Sequence, residues 1–175
     1  MAPDKQDPPK KKSPRPKKSG PPVPSFTEFL QEAEHLRDIA LAMLQADGHH
    51  APLVIAWRQD GCQEVIALSL HGSPVSMGTI LKGLVRLHQV HSFVAIAEAW
   101  MTRGESASLE VAPSQSPERE QVLSISAIHP EGRRGWFVPF ATEGGRVVLG
   151  TPVDSTGMTL GGGIPEALNG QEGRP

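Results

Sequence analysis

The segment Phe93–Met101, FVAIAEAWM, most restricts the fold that this chain can adopt. In an extended strand, alternate side chains point to opposite faces of a sheet, and in this segment both sets are largely apolar. Such a strand must be covered on both faces, which predicts a central strand between two packing layers. One of the two sets consists mainly of alanines, and these small side chains favour a helix packed closely against that face.

The rest of the chain predicts a mostly antiparallel sheet of about five to six strands with two main helices, in the order α-β-β-α-β-β-β. The first helix follows a Ser25–Glu28 capping box and ends at Gly48. An Asp60-Gly61 turn joins the first two strands as a hairpin. The other predicted elements are strands 52–57 and 64–70, a helix from 74 to about 89, and strands 93–101, 121–129, 136–141 and 147–149. The fold class is therefore an α/β sandwich.

This order of elements resembles the topology of roadblock- or profilin-type α/β sandwiches. The resemblance implies a dimerising or scaffold module that lacks catalytic residues. A second, local resemblance is to a pattern in uncharacterised bacterial and phage proteins, and it implies no activity. That pattern consists of Ala97-Glu98-Ala99-Trp100-Met101 followed by Pro113-Ser114-x-x-Pro117-x-Arg119-Glu120-x-Val122-Leu123.

The charge divides the chain into a basic arm and an acidic body. Residues 1–24 contain seven Lys or Arg and two Asp among eight prolines, so we expect a disordered basic tail before a single domain at 25–154. Residues 155–175 are expected to be a Gly-rich flexible tail. The cations that could bind an anionic partner are Lys10, Lys11, Lys12, Arg15, Lys17 and Lys18. The arm has no aromatic residue to stack on bases, so binding to nucleic acid would not depend on base sequence.

The expected localisation follows from three features that the sequence lacks: a pair of cysteines, a membrane-spanning apolar run and a secretory signal. The single cysteine, Cys62, excludes a disulfide within the chain and fits a reducing compartment. No apolar run approaches the roughly 18 residues needed to span a bilayer, and no apolar segment follows the basic N-terminus as in a secretory signal. We expect a cytoplasmic protein without membrane association.

Glu98 is the main candidate for chemistry because it interrupts an apolar strand. An unpaired carboxylate is costly to bury, and burial would raise its pKa toward the range of a general acid or base. A histidine such as His129 could complete a catalytic pair, with His88 and His91 as further candidates. The structural alternatives are an ion pair with Arg119 and a position on a solvated face.

Other motifs are weaker. His88-x-x-His91 and His49-His50 are the only close histidine pairs, and without further ligands they predict neither a metal site nor any other cofactor. Arg133-Arg134 beside Trp136 could contact nucleic acid or protein, although a hairpin with a solvated turn is the simpler interpretation.

Three functions remain open at this stage. The preferred one is a non-catalytic binding or assembly module, in which the domain forms a homodimer or binds a protein and the arm attracts nucleic acid or an acidic protein. The alternatives are a small hydrolase-like enzyme that uses Glu98 with a histidine, and a sensor domain that binds a small ligand against its sheet.

Overall fold

The computed structural model describes residues 21–68, 77–102 and 113–154. The predictions for residues 1–20 and 155–175, including those for the arm's lysines and for both tails, lie outside the described residues. The elements are α1 (Phe26–Asp47), β1 (Leu53–Arg58), β2 (Gln63–Ala67), α2 (Met77–His88), β3 (Val90–Met101), a 3₁₀ turn (Pro113–Gln115), β4 (Glu120–His129), β5 (Gly132–Glu143), β6 (Arg146–Leu149) and β7 (Val153–Asp154).

The strands form one antiparallel sheet in the order β2-β1-β3-β4-β5-β6, and β7 pairs with β5 beside β6. This confirms the predicted fold class. β3 lies between β1 and β4, as its two apolar faces predicted. Its Val94 and Ile96 pack in the larger core under α1, and its Phe93 and Ala95 pack in a smaller core under α2. The two helices therefore cover opposite faces, here called the α1 face and the α2 face.

Local sequence signals set the ends of α1. The backbone N–H of Ser25 donates to the Glu28 carboxylate at 2.9 Å, and the Glu28 N–H donates to the Ser25 hydroxyl at 3.4 Å. Both bonds satisfy amides that have no partner within the helix, and the Ser25 side chain lowers the pKa of Glu28. Gly48 ends the helix with a φ of 78°, a left-handed conformation that costs glycine little.

One sequence prediction differs from the structure. β5 begins at Gly132, so only Pro130 and Glu131 separate it from β4, and the predicted longer turn is wrong. Pro139 cannot donate a sheet hydrogen bond, and it lies in β5, which is flanked by β4 and β6. It stands between the stretches of β5 that pair with β7 and with β6, where its carbonyl accepts a hydrogen bond from the Gly150 N–H at 2.7 Å.

Candidate functional site

Glu98 lies half-buried on the α1 face, just beyond the fully buried part of β3. One carboxylate oxygen accepts a hydrogen bond from the backbone N–H of His50 at 2.6 Å, and the other accepts one from the side-chain amide of Gln121 at 3.0 Å. His50 belongs to the connection between α1 and β1, and Gln121 belongs to β4. The carboxylate therefore ties this connection to the sheet and is satisfied by neutral donors.

Arg119 does not form the predicted ion pair with Glu98. Its guanidinium lies over the Trp100 ring at 4.9 Å from the centroid and donates to the Ser114 carbonyl at 2.6 Å. The reason is register: Glu98 is opposite Leu123, whereas Arg119 precedes the first residue of β4. Arg119 thus lies about 13 Å along the strand from the residue opposite Glu98, and the half-exposed indole of Trp100 is the nearer partner.

His129 lies at the other end of the sheet, so the predicted catalytic pair of Glu98 and His129 is not formed. Leu123, opposite Glu98, is six residues from His129 along β4, or about 20 Å at the rise of a strand. His129 is 5% exposed and lies 5.3 Å, between ring centroids, from both Phe26 and Phe29 of α1. It is a packing residue that holds the start of α1 against the sheet.

The protonation of His129 follows from its contacts. The Glu131 backbone N–H donates to its Nδ1 at 3.1 Å, which places the proton of the neutral ring on Nε2. Burial lowers the pKa of His129 from its usual value of 6.5, while the Pro24 backbone and the charge of Glu131 act in the opposite direction. Burial and the neighbouring His129 likewise lower the pKa of His91. Both rings are therefore expected to be neutral at pH 7.

His91 lies at a β-bulge in β3 and its ring contacts the ring of His129. Trp57 pairs with Ser92 while Arg58 pairs with Val90, which leaves His91 as the extra residue of β3. The rings of His91 and His129 make an edge-to-face contact at 4.9 Å.

His88 is bound elsewhere. Its Nδ1 lies 3.0 Å from a carboxylate oxygen of Glu64 on β2, under α2. Gln89, the one residue between α2 and β3, has a φ of 51° and turns the chain between the two histidines. Within the described residues, no group of three or more His, Cys, Asp or Glu side chains has metal-binding geometry.

His50 is the polar residue that sequence reasoning undervalued. It lies in the connection between α1 and β1, yet it is only 6% exposed. Burial lowers the pKa of His50, and the Ala51 backbone and the negative charge of Glu98 act in the opposite direction. The signal was its position two residues after Gly48, where the chain leaves α1 and approaches the first strand of the sheet.

Trp136 and Arg134 of β5 contact residues of α1. Trp136 is 4% exposed, and the guanidiniums of Arg37 and Arg134 lie 5.2 and 5.5 Å from its ring centroid. Arg134 also forms an ion pair with Glu34 of α1 at 3.3 Å. These contacts join α1 to β5, so Arg134 is not part of a solvated turn.

Apolar side chains are exposed on the side of α1 opposite Arg37. The guanidinium of Arg37 lies over Trp136 of β5, and helical spacing places Ile39 and Met43 on the side of α1 away from that contact. Val65 of β2 is opposite Ile55, a residue of the core under α1, and therefore points to the same face. We use the name β2 patch for these three exposed apolar side chains on the α1 side of the sheet, with Val65 as its most exposed member; the exposed fractions of Ile39, Met43 and Val65 are 42%, 46% and 70%.

Glu98 and His129 thus have structural roles in the fold. The β2 patch, by contrast, consists of exposed side chains. Neither helix in the described part of the chain is long and apolar enough to cross a membrane. Comparisons of the chain with protein-family models, with curated proteins and with solved structures found no match.

Proposed function

We propose that this chain is a non-catalytic binding or assembly module. The domain binds a protein through the β2 patch, and the basic residues of the arm at 1–24 add electrostatic attraction to an anionic partner, either nucleic acid or an acidic protein. The observation that carries the proposal is the exposure of Val65, at 70%, on a strand at the edge of the sheet. A strand at the edge of a sheet presents unpaired backbone groups that can pair with another chain, and Val65 adds an exposed apolar side chain there.

The state of the candidate catalytic residues supports the proposal. Both carboxylate oxygens of Glu98 accept hydrogen bonds, one from the His50 N–H and one from the Gln121 side chain. The ring of His129 packs against the aromatic rings of Phe26 and Phe29 in α1. Nucleophilic or acid–base catalysis needs groups within hydrogen-bond reach of each other and of a substrate. Leu123, the residue of β4 opposite Glu98, is about 20 Å from His129 along the strand.

The test is capture of partners by the tagged full-length chain from extract with and without nuclease treatment. The chain is compared with Val65→Lys, with the matched control Val148→Lys at the opposite edge of the sheet, and with a variant whose arm cations are replaced by glutamine. Val148 is 46% exposed, so its replacement also places a charge on a partly exposed edge strand.

We expect Val65→Lys to weaken protein binding at least tenfold, about 1.4 kcal/mol, and Val148→Lys to leave it intact. Equal binding by wild type and Val65→Lys would refute the role of the β2 patch. Loss of all capture on nuclease treatment or on neutralisation of the arm would instead identify a purely electrostatic binder of nucleic acid.

A further inference from the structure

The outer edge of β2 presents unpaired backbone groups in a fixed pattern. At one end of the β1–β2 hairpin the Arg58 N–H donates to the Cys62 carbonyl, and at the other the Leu68 N–H donates to the Pro52 carbonyl, both at 2.9 Å. Backbone groups alternate in direction along an antiparallel strand, so Cys62, Glu64, Ile66 and Leu68 point toward β1. The residues between them, Gln63, Val65 and Ala67, turn their N–H and C=O groups outward. No other strand pairs with this edge within the described ranges.

This edge also lacks the features by which strands usually avoid pairing with another chain. Edge strands commonly carry lysine, proline or a bulge, and Gln63–Ala67 contains none of these. Its one charged residue, Glu64, is bound by the Nδ1 of His88 at 3.0 Å on the α2 face. The edge of the sheet at β6 is different, because β6 and the two-residue β7 share it with an interruption at Pro139.

We propose that a second copy of this chain occupies the edge of β2, with the two β2 strands antiparallel about a two-fold axis at Val65. This rests on the proposed function, since the contact uses the β2 patch, and it names the partner at that patch. The two copies would use the same strand, and a two-fold axis would relate them. Each copy then has no free β2 edge left, so the contact produces a dimer rather than a filament.

The sequence of β2 places no like charges opposite each other in this register. Val65 faces Val65 of the second copy, Gln63 faces Ala67 of the second copy, and Glu64 faces Ile66 of the second copy. The outward backbone groups of Gln63, Val65 and Ala67 are then all paired. A shift that centred the axis on Glu64 would place two carboxylates opposite each other, which is destabilising. The side chains of Val65 from both copies meet on the α1 face of the sheet.

Disulfide trapping tests the contact in the full-length chain. Val65→Cys and Ala67→Cys are made separately in a Cys62→Ser background, so each variant has one cysteine. In the proposed register, Val65 and its copy are a hydrogen-bonded pair with Cα atoms about 5.5 Å apart, which suits a disulfide. Position 67 and its copy are about 13 Å apart, and the native Cys62 and its copy are about 20 Å apart.

We expect Val65→Cys to form a covalent dimer under mild oxidation, while Ala67→Cys and the wild type with Cys62 remain uncrosslinked. Sedimentation equilibrium of the wild type should show a dimer that dissociates on dilution, absent in Val65→Lys and kept in Val148→Lys. A monomer at all concentrations, crosslinking at 67 in preference to 65, or a dimer that survives Val65→Lys would each overturn this inference. Capture of a different protein that Val65→Lys abolishes, by a monomeric chain, would leave the proposed function standing without it.

Discussion

The buried histidine at 129 predicts how the stability of the domain depends on pH. His129 is enclosed by Phe26, Phe29 and His91, and its Nδ1 accepts from the Glu131 N–H. Burial lowers its pKa in the folded state below the ordinary value of 6.5 that it regains on unfolding. The unfolded chain therefore binds more protons as the pH falls below about 6.5, so acidification favours unfolding.

The magnitude follows from this linkage. A histidine that stays neutral in the folded state contributes up to about 1.4 kcal/mol of lost stability for each pH unit below 6.5, and essentially nothing above it. The pKa values of His50 and His91 are lowered as well, so their losses add in the same direction. The free energy of unfolding should therefore be highest above pH 6.5 and fall as the pH drops toward the folded-state pKa values.

His129→Phe isolates the contribution of this ring. Phenylalanine fits among the aromatic rings of α1 but cannot accept from the Glu131 N–H, whose loss costs about 1 kcal/mol at any pH. The difference in stability between pH 7.5 and 5.5 should shrink by up to about 1.4 kcal/mol relative to the wild type. His91 should also titrate closer to its ordinary pKa, because the neighbouring His129 no longer opposes its protonation.

The measurement is urea unfolding of both proteins at several pH values from 7.5 to 5.5, above the range in which carboxylates titrate. Phe26→Leu is the matched control, because it removes a ring from the same site without removing a titratable group. It should lower stability by a nearly constant amount across this range. An unchanged slope in His129→Phe, or a wild type that becomes more stable on acidification, would refute the reasoning.

Three further predictions concern single contacts and are checked by urea unfolding. Glu98→Ala should lower the free energy of unfolding by about 1–3 kcal/mol, because it leaves the buried N–H of His50 without its acceptor. Glu98→Gln keeps an acceptor and should lower it by less. Equal losses in the two variants would contradict the assigned hydrogen bond. Gly61→Ala should cost at least about 1–2 kcal/mol because Gly61 has a φ of 79° and a Cβ there would lie 1.6 Å from the Pro21 carbonyl oxygen. The control Gly83→Ala, in α2 with nothing within 4 Å, should stabilise by about 0.5–1 kcal/mol, and the reverse ranking would show that the turn is not held as described. Gln89→Gly should stabilise the domain or leave it unchanged, because it relieves a left-handed φ of 51° in a non-glycine residue; a loss above about 1 kcal/mol would show that the Gln89 side chain contributes more than its backbone strain costs.

The elements that the sequence predicts well are those whose signals are local. The capping box at Ser25–Glu28 and the turn at Asp60-Gly61 each depend on a few adjacent residues, and both form as predicted. The apolar periodicity of Phe93–Met101 is also local, and it predicted that β3 is central. The turn after β4 was predicted too long because Arg133 and Arg134 look like loop residues. Arg134 enters β5 because Trp136 and Glu34 hold it there, and both partners are distant or invisible to local propensity.

The arrangement around Glu98 shows why the site could not be predicted in the same way. The sequence indicates that a carboxylate in an apolar strand must have partners, which is a statement about desolvation and holds in any fold. The identity of those partners depends on strand register and on where the connection after α1 crosses the sheet. The partner from that connection is a backbone N–H, a group that every residue except proline carries, so no side-chain motif could mark it. A charged candidate such as Arg119 attracts attention in the sequence because it is distinctive, yet a neutral backbone donor at 2.6 Å satisfies the carboxylate without the cost of burying a second charge. In this sheet the lone carboxylate of Glu98 therefore marks the place where the connection after α1 crosses the sheet, and it forms no ion pair with Arg119.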